Sequence, residues 1–228
     1  MMEYGKTKRG ASATGREGLH KVSISRIKKE MSDVSYLSDD LVITALTARN
    51  NTTADYPAAI DGFSAVIMMA GEATVSIDMQ NYQIRPNNIV LFNPNSIIRT
   101  VKCSSNAAAY FVAFSKSFVN EIQIDLSTSL PVYMRFGKAP VLEVSAEDVN
   151  EIRQLFQLIK TMLRSDKERY RSEIIRSLFT TAFYIITEIN QRDRKNEQKQ
   201  GRCEVLFNEF MALLQQYSKR ERNVSFYA

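Results

Sequence analysis

The sequence has few of the residues that build disulfide, metal or catalytic sites. Its 228 residues include two cysteines, Cys103 and Cys203, and a single histidine, His20. Two cysteines make neither a disulfide framework nor the spacing of a metal site. His20 lies outside the strands predicted below, so no imidazole cluster is available for a metal and no histidine can activate a nucleophile. We therefore predict a protein that is not an enzyme and that uses no metal or cofactor.

Long apolar runs and phosphate-binding loops are also lacking. The run Ala65–Ala70 has six residues, far fewer than the ~20 needed to cross a bilayer. No apolar stretch follows the basic N-terminus, and the glycines there follow no strand, which excludes the usual nucleotide-binding loops. The sequence therefore predicts a soluble protein of the reducing cytoplasm.

The composition is that of a chain with a substantial core, since 44% of its residues are hydrophobic and 24% are charged. The formal charge is +5 over residues 1–30, −5 over 31–150 and +5 over 151–228. Residues 1–30 have hardly any spaced apolar residues, so we predict a disordered basic tail there. An alternative is that Met31 is the true first residue.

Residues 41–115 contain short apolar runs separated by turn residues, a pattern typical of an antiparallel sandwich or barrel. In Ala73–Met79 apolar and polar residues alternate, which indicates a strand with one buried face. Strands this short and closely spaced favour a barrel. The predicted strands are Leu41–Ala48, Phe63–Ala70, Ala73–Met79, Tyr82–Arg85, Ile89–Phe92, Ile97–Val101 and Ala108–Ser115.

After Pro140 the apolar spacing becomes that of helices. Ser145, with Asp148 three residues later, resembles a capping box that begins the first of them. A longer helix is predicted over about Lys167–Arg194. Its first apolar row has heptad spacing and consists of Ile175, Phe179, Ala182, Ile186 and Ile189. Its second apolar row consists of Ile174, Leu178 and Ile185. The spacing alone leaves open whether the first apolar row joins the core of its own chain or a second copy.

A polar stretch, Gln191–Gln200, is predicted to be a linker or the frayed end of the long helix. Another amphipathic helix is expected over roughly Arg202–Ser218. Asn223 or Ser225 would then cap one more helix. We interpret this end as the beginning of a second, truncated domain.

From Gly62 to Ser115 the order of strands and turns resembles the N-terminal cupin domain of the AraC family of bacterial transcriptional regulators. The most specific motif consists of Arg85-Pro86, Ile89–Phe92, Pro94 and Ile97. Where the family has a Pro-Gly-Asp turn, this sequence has Asn87 and Asn88 after the proline. Asparagine tolerates the left-handed backbone that such a turn needs. The resemblance covers about residues 36–228 and is strongest in the barrel.

The resemblance implies an α+β fold, in which a small antiparallel cupin-like jelly-roll barrel is followed by an α-helical dimerisation region. It places the effector-binding barrel at residues 31–140, the dimerisation helices at 141–200, and the first helix of a truncated helix-turn-helix DNA-binding domain at 201–228. No recognition helix is included, so we expect no specific DNA binding by this chain.

Candidate effector-binding residues follow from laying the sugar-binding branch of the family over this sequence. That branch's lumen-facing positions fall on Ala70, Ile98, Thr100, Phe111 and Ala113, and the same strand parity adds Val66, Met68 and Ala109. These side chains are mostly methyl groups, and each unpaired sugar hydroxyl costs ~1–3 kcal/mol, so a sugar effector is disfavoured. Two interpretations stay open: an apolar effector, such as an acyl chain or an aromatic ring, or a lumen filled by its own side chains.

The resemblance also favours a homodimer through the first apolar row of the long helix. The predicted function is therefore effector sensing and dimerisation in an AraC-family regulator, whose effector shifts the packing of the barrel on the helices. One alternative is a stand-alone cupin-like protein, without metal, that binds a small molecule or is an enzyme. Another is a dimerisation scaffold with no functional lumen.

Overall fold

The structure, a computed structural model, describes residues 20–31, 33–50, 57–122, 124–165 and 169–196, together with single positions between 206 and 226. The strands are β1 (His20–Val22), β2 (Ser35–Leu37), β3 (Leu41–Thr47), β4 (Ala58–Ile60), β5 (Phe63–Ala70), β6 (Ala73–Ile77), β7 (Gln80–Ile84), β8 (Asn88–Phe92), β9 (Ile97–Cys103), β10 (Ala108–Phe114) and β11 (Val141–Glu143). The helices are α1 (Ile24–Glu30), α2 (Lys116–Ile122), α3 (Leu126–Lys138), α4 (Ala146–Leu163) and α5 (Arg171–Asn196).

The strands form two sheets. A six-stranded antiparallel sheet has the order β11-β8-β5-β10-β3-β2, and a five-stranded sheet has the order β1-β4-β9-β6-β7. All pairs are antiparallel except β1 with β4. Side chains from both sheets, among them Met68, Ile77 and Phe111, share one apolar cluster, so the two sheets face each other. The predicted α+β fold, a jelly-roll arrangement of short strands followed by helices, is confirmed.

The six-stranded sheet is buried on both faces. On β3, Val42 packs into the cluster between the sheets, whereas its neighbour Ile43 packs into a second cluster under the helices. On β10, Phe111 packs into the cluster between the sheets and Val112 into the cluster under the helices. A strand with two buried faces needs apolar residues at consecutive positions, which explains the uninterrupted apolar runs of β3, β5, β8 and β10.

Helices α2 to α5 cover the outer face of the six-stranded sheet. Phe179 of α5 makes edge-to-face contacts with Phe118 of α2 at 5.1 Å and with Phe114 of β10 at 5.8 Å. The first residues of α4 lie beside the last turns of α5, since Asp148 and Arg192 form an ion pair, so the two helices run antiparallel. The helices are thus joined to the sheet by one continuous apolar core.

The turn before β8 has the conformation that its asparagines predict. Asn87 has a φ of 68°, in the left-handed region, and the side-chain oxygen of Asn88 accepts a hydrogen bond from the backbone N–H of Arg85 at 2.8 Å. An asparagine oxygen here does what an aspartate oxygen would do. The turn before β6 depends on Gly71, whose φ is 67° and where a Cβ would lie 2.7 Å from the Cα of Ala107.

All seven predicted strands occur, with ends that differ by up to two residues; the third, for example, ends at Ile77 rather than Met79. Strands β1, β2, β4 and β11 and helices α1, α2 and α3 were not predicted. The capping residue of α4 was predicted: the Ser145 hydroxyl accepts the backbone N–H of Asp148 at 3.1 Å. Helix α5 begins and ends a few residues later than predicted.

The predicted disordered tail at 1–30 needs correction for its second half. Residues 20–30 form β1 and α1, and Ile24 and Ile27 are 4% and 5% exposed. The Ser23 hydroxyl accepts the backbone N–H of Arg26 at 3.3 Å and so caps α1. Two isoleucines three residues apart and one capping serine were the signals for this helix. Residues 1–19 lie outside the described residues.

The predicted helix at Arg202–Ser218 and the segment that would open another domain lie outside the described residues, apart from single positions. Val224–Phe226 form a short 3-10 helix. Within the described part of the chain, no helix is both long enough and apolar enough to span a bilayer.

Candidate functional site

A cavity of about 130 Å³ lies between the two sheets. Both sheets contribute to it, together with the loop before β10 and the N-terminal segment of the chain. Its wall consists of Val22, Ile27, Met31, Leu46, Thr47, Ala58, Ile60, Val66, Met68, Ala73, Val75, Ile84, Val90, Phe92, Ile98, Thr100, Cys103, Ala107, Ala108, Ala109 and Phe111.

The structure brings six of the eight predicted effector-binding residues together on this wall. They are Val66 and Met68 of β5, Ile98 and Thr100 of β9, and Ala109 and Phe111 of β10. Val66 lies opposite both Val90 and Phe111 in the six-stranded sheet. Their role in binding an effector stays a prediction.

Ala70 and Ala113 do not line the cavity. Ala113 is fully buried in the same apolar cluster but lies beyond the cavity. At the other end of β5 the pairing with β10 is irregular, because Met68 pairs with Ala109 and Ala70 with Ala108. The extra residue, Met69, breaks the alternation, so strand parity does not carry over from Met68 to Ala70.

Sequence reasoning missed much of the wall. The parity of β6 and β8 was a usable signal for Val75, Val90 and Phe92, because each alternates with residues of the opposite face. Val22 and Ile27 were missed because the segment that contains them was assigned to the tail, and Met31 was considered only as an alternative first residue. Ala58 and Ile60 lie on the unpredicted strand β4.

The wall is almost entirely hydrocarbon. Its polar side chains are the hydroxyls of Thr47 and Thr100 and the thiol of Cys103, and the described wall carries no charged side chain. The Thr47 hydroxyl already donates to the side-chain oxygen of Asn50 at 3.2 Å. Burial raises the pKa of the Cys103 thiol, which keeps it neutral. Such a wall favours apolar groups and leaves the hydroxyls of a sugar without partners.

The size of the cavity limits what it can hold. An apolar cavity of about 150 Å³ in another protein binds benzene. A space of about 130 Å³ therefore accommodates a single aromatic ring or a short alkyl chain, and a longer molecule would have to displace wall side chains. In the described residues there is no group of three or more histidine, cysteine, aspartate or glutamate side chains placed to hold a metal.

The first apolar row of α5 is covered by the chain itself. Ile175, Phe179, Ala182 and Ile189 are buried, and Ile186 is partly buried against the same core. In this conformation the row therefore has little surface to offer to a second copy, since only Ile186 is partly exposed. It is intramolecular core, which is the other of the two possibilities that its spacing left open. The homodimer itself stays a prediction.

The comparisons with known proteins concern sequence and fold. The model of the family "AraC-like ligand binding domain" matches residues 41–181. No curated protein sequence matches the chain. Among solved structures, ToxT from Vibrio cholerae with a bound unsaturated fatty acid is 13% identical, over 82% of this chain and 67% of ToxT, with a TM-score of 0.37.

Two further structures are similar at the same level. The AraC-like transcriptional activator CuxR is 10% identical, over 82% of this chain and 61% of CuxR, with a TM-score of 0.37. A cupin superfamily protein from Desulfitobacterium hafniense is 13% identical, over 41% of this chain and 87% of its own, with a TM-score of 0.28. The family match spans more than half of the residues and includes β3 to β11, α4 and the first part of α5. The chain belongs to the family of AraC-like ligand binding domains.

Proposed function

We propose that this chain senses a small apolar effector for an AraC-type transcription regulator, and that the effector is about the size of one aromatic ring or a short alkyl chain. The observation that carries the proposal is the hydrocarbon cavity of about 130 Å³ between the sheets. A lumen filled by its own side chains would leave no such space, so the cavity favours an effector over a scaffold without a functional lumen.

The expected affinity is modest. Each methylene group transferred from water to an apolar site contributes ~0.8 kcal/mol, so a ligand of six carbons gains about 5 kcal/mol. This free energy corresponds to a dissociation constant on the order of 0.1–1 mM. Tighter natural effectors would need additional contacts at the edge of the cavity, where the Thr47 hydroxyl and the Cys103 thiol lie.

The readout would be the arrangement of DNA-binding domains that follow this chain in the whole regulator, in the cytoplasm. Helices α4 and α5 are the natural link, because they pack on the outer face of the sheet whose inner face lines the cavity. We further propose that two chains pair through α5. Since the first apolar row is core, and Leu178 and Ile185 of the second row are partly buried against the same core, the exposed Ile174 of the second row is the surface that remains.

The stand-alone cupin-like enzyme remains the alternative, and no observation in the described residues favours it. The described side chains of the cavity wall include no histidine, carboxylate, lysine or tyrosine, so that Cys103 is their only group of the kinds that commonly act as a general acid or base.

Thermal unfolding and calorimetric titration with toluene and indole test the effector, with arabinose as the polar comparison. At a ligand concentration ten times the dissociation constant, the midpoint of thermal unfolding should rise by ~3–6 °C with toluene or indole. Arabinose should leave the midpoint unchanged. Ala109→Leu fills the cavity and should abolish the rise. Ala45→Leu is the matched control, because Ala45 lies on β3, outside the cavity wall. Equal shifts in both variants, or no shift with either apolar compound, would refute the proposal.

A further inference from the structure

Strand β8 connects the cavity to the beginning of α4. Its Val90 and Phe92 line the cavity. On its outer edge β8 pairs with β11, where Val141 lies opposite Val90 and Leu142 opposite Ile89. Backbone hydrogen bonds of 2.9 Å extend the pairing at both ends, from Leu91 N to Pro140 O and from Val144 N to Asn87 O. Among the described strands β11 pairs with β8 alone, so a displacement of β8 acts directly on β11.

The residues of β11 lie between the cavity and the helices. Val141 packs against the apolar cluster between the sheets, whereas Leu142 is fully buried in the cluster under the helices. Ser145 then caps α4 two residues after β11 ends. Its hydroxyl also donates to the carboxylate of Asp148, with an Oγ to Oδ2 distance of 2.6 Å. A shift of β11 therefore moves the first turn of α4.

An ion pair joins this first turn to the end of α5. The Nη2 of Arg192 donates to Oδ1 of Asp148 at 2.6 Å. Although burial opposes the ionisation of Asp148, the hydrogen bonds from Ser145 and Arg192 hold its pKa below the usual value. Arg192 lies one turn before α5 ends at Asn196. The carboxylate of Asp148 thus holds the capping residue of one helix and the last turns of the other.

A second feature near the end of α5 is a buried polar atom. The side-chain oxygen of Asn190 is buried and has no hydrogen-bond partner among the described residues. An unpartnered buried polar atom costs ~1–3 kcal/mol. A small displacement of α5 that gives this oxygen a partner would recover part of that cost. Such a displacement would give the end of α5 a second position, and an element with two positions is what transmission between sites requires.

We propose that occupation of the cavity is transmitted to the C-terminal end of α5 through β8, β11 and the Asp148–Arg192 ion pair. This inference rests on the proposed function and names how the same cavity is read out. An occupant that presses on Val90 and Phe92 moves β8 and β11 together. Asp148 then carries the movement to Arg192, and the last described turn of α5, which ends at Asn196, moves relative to the sheets.

Hydrogen exchange measured by mass spectrometry tests the transmission, with peptides that cover residues 88–92 and 186–196. Ala109→Leu provides a built-in occupant that needs no ligand, and toluene provides a diffusible one. In the wild-type background either occupant should change exchange rates several-fold at 186–196 as well as at 88–92. With Asp148→Asn the change at 88–92 should persist and the change at 186–196 should be lost. Lys116→Gln is the control, because it removes the exposed pair of Lys116 with Asp61, and it should preserve both changes.

The measurements with toluene and with Ala109→Leu distinguish this proposal from the effector proposal. If toluene does not change hydrogen exchange at residues 88–92, the proposal of a small apolar effector is contradicted. The Ala109→Leu protein would still test whether filling the cavity affects residues 186–196. An unchanged 186–196 peptide in folded Ala109→Leu protein would overturn the transmission. A change there that survives Asp148→Asn would overturn the role of the ion pair.

Discussion

Ile174 and Ile175 are neighbours at the start of α5, but they lie in opposite environments. Ile175 is fully buried against the sheet and α4, whereas Ile174 is 39% exposed. Two consecutive positions on a helix differ by about 100°, so one can face the core while the next faces outward. Ile174 is therefore the residue of the second apolar row that is left on the surface, because Leu178 and Ile185 of that row are partly buried against the core.

Ile174→Glu should convert a dimer into a folded monomer, because it places a charge at the exposed residue of the second apolar row. Ile175→Glu should instead unfold the chain, since an unpaired buried charge costs more than about 4 kcal/mol. Light scattering after size exclusion gives the mass, and circular dichroism reports folding. A wild-type chain that is monomeric at tens of micromolar, or a dimer that survives Ile174→Glu, would contradict pairing through this row.

Ser64→Ala should leave the free energy of unfolding unchanged or raise it by about 1 kcal/mol. The Ser64 hydroxyl is buried in β5 and has no hydrogen-bond partner among the described residues, so its removal ends an uncompensated desolvation cost. Ser35→Ala is the matched control, because the buried Ser35 hydroxyl accepts from Nε of Arg164 at 2.8 Å. That change should lower the free energy of unfolding by ~1 kcal/mol. Urea denaturation measures both, and a clear loss with Ser64→Ala would contradict the prediction.

Four strands of the six-stranded sheet, β3, β5, β8 and β10, could be predicted because their apolar runs are long and turn residues bound them. Strands β2 and β11 were missed because each has only three residues. The family's lumen-facing positions, extended by strand parity, then placed most of the predicted residues on the cavity wall. The transfer failed at Ala70, because an extra residue in β5 is not visible in an apolar pattern. Helix α3 was missed because Pro131, which lies inside it, is ordinarily a helix breaker.

The role of the first apolar row could not be predicted from spacing. A heptad pattern has the same form whether the partner is a sheet of the same chain or a helix of another chain. What decides the matter is tertiary packing: Phe179 fills the space between Phe114 and Phe118. The N-terminal segment was missed for a related reason, since its few apolar residues are stabilised only by the cavity wall that they complete.

Asp40→Asn should destabilise the chain at neutral pH, because Asp40 accepts hydrogen bonds from Ser115 at 2.6 Å, Ser117 at 2.8 Å and Ser38 at 2.7 Å. These bonds, above all that from Ser115, lower the pKa of Asp40 below its usual value. The loss should be about 2 kcal/mol, the range for hydrogen bonds to a charged group. Chemical denaturation at neutral pH measures it.

The pH dependence gives a separate check. A carboxyl group whose pKa is lower in the folded state stabilises the fold above the unfolded pKa of ~3.9, and this contribution is lost as the pH falls through the folded pKa. The free energy of unfolding of the wild type should therefore exceed that of Asp40→Asn by its largest amount at pH 7 and pH 5, and by a smaller amount at pH 3. If the difference in the free energy of unfolding stays constant down to pH 3, the charge of Asp40 does not contribute to stability.

A chain that begins at Met31 should be less stable and should bind apolar ligands more weakly than one that begins at Leu19. The shorter chain loses β1 and α1, and with them the buried Ile24 and Ile27. Burial of two isoleucines contributes ~3–6 kcal/mol, an upper estimate that corresponds to a fall of roughly 10 °C in the unfolding midpoint.

The same truncation opens the cavity, because Val22 and Ile27 form part of its wall. Water would then enter the lumen, and the transfer of toluene from bulk water to the lumen would release less free energy. Differential scanning calorimetry of the two chains, with and without toluene, measures both effects. The double substitution Ile24→Ala and Ile27→Ala in the longer chain distinguishes lost packing from lost length, and it should reproduce most of the destabilisation. Equal midpoints for the two chains would mean that β1 and α1 add nothing to the fold, and Met31 would then be a sufficient start.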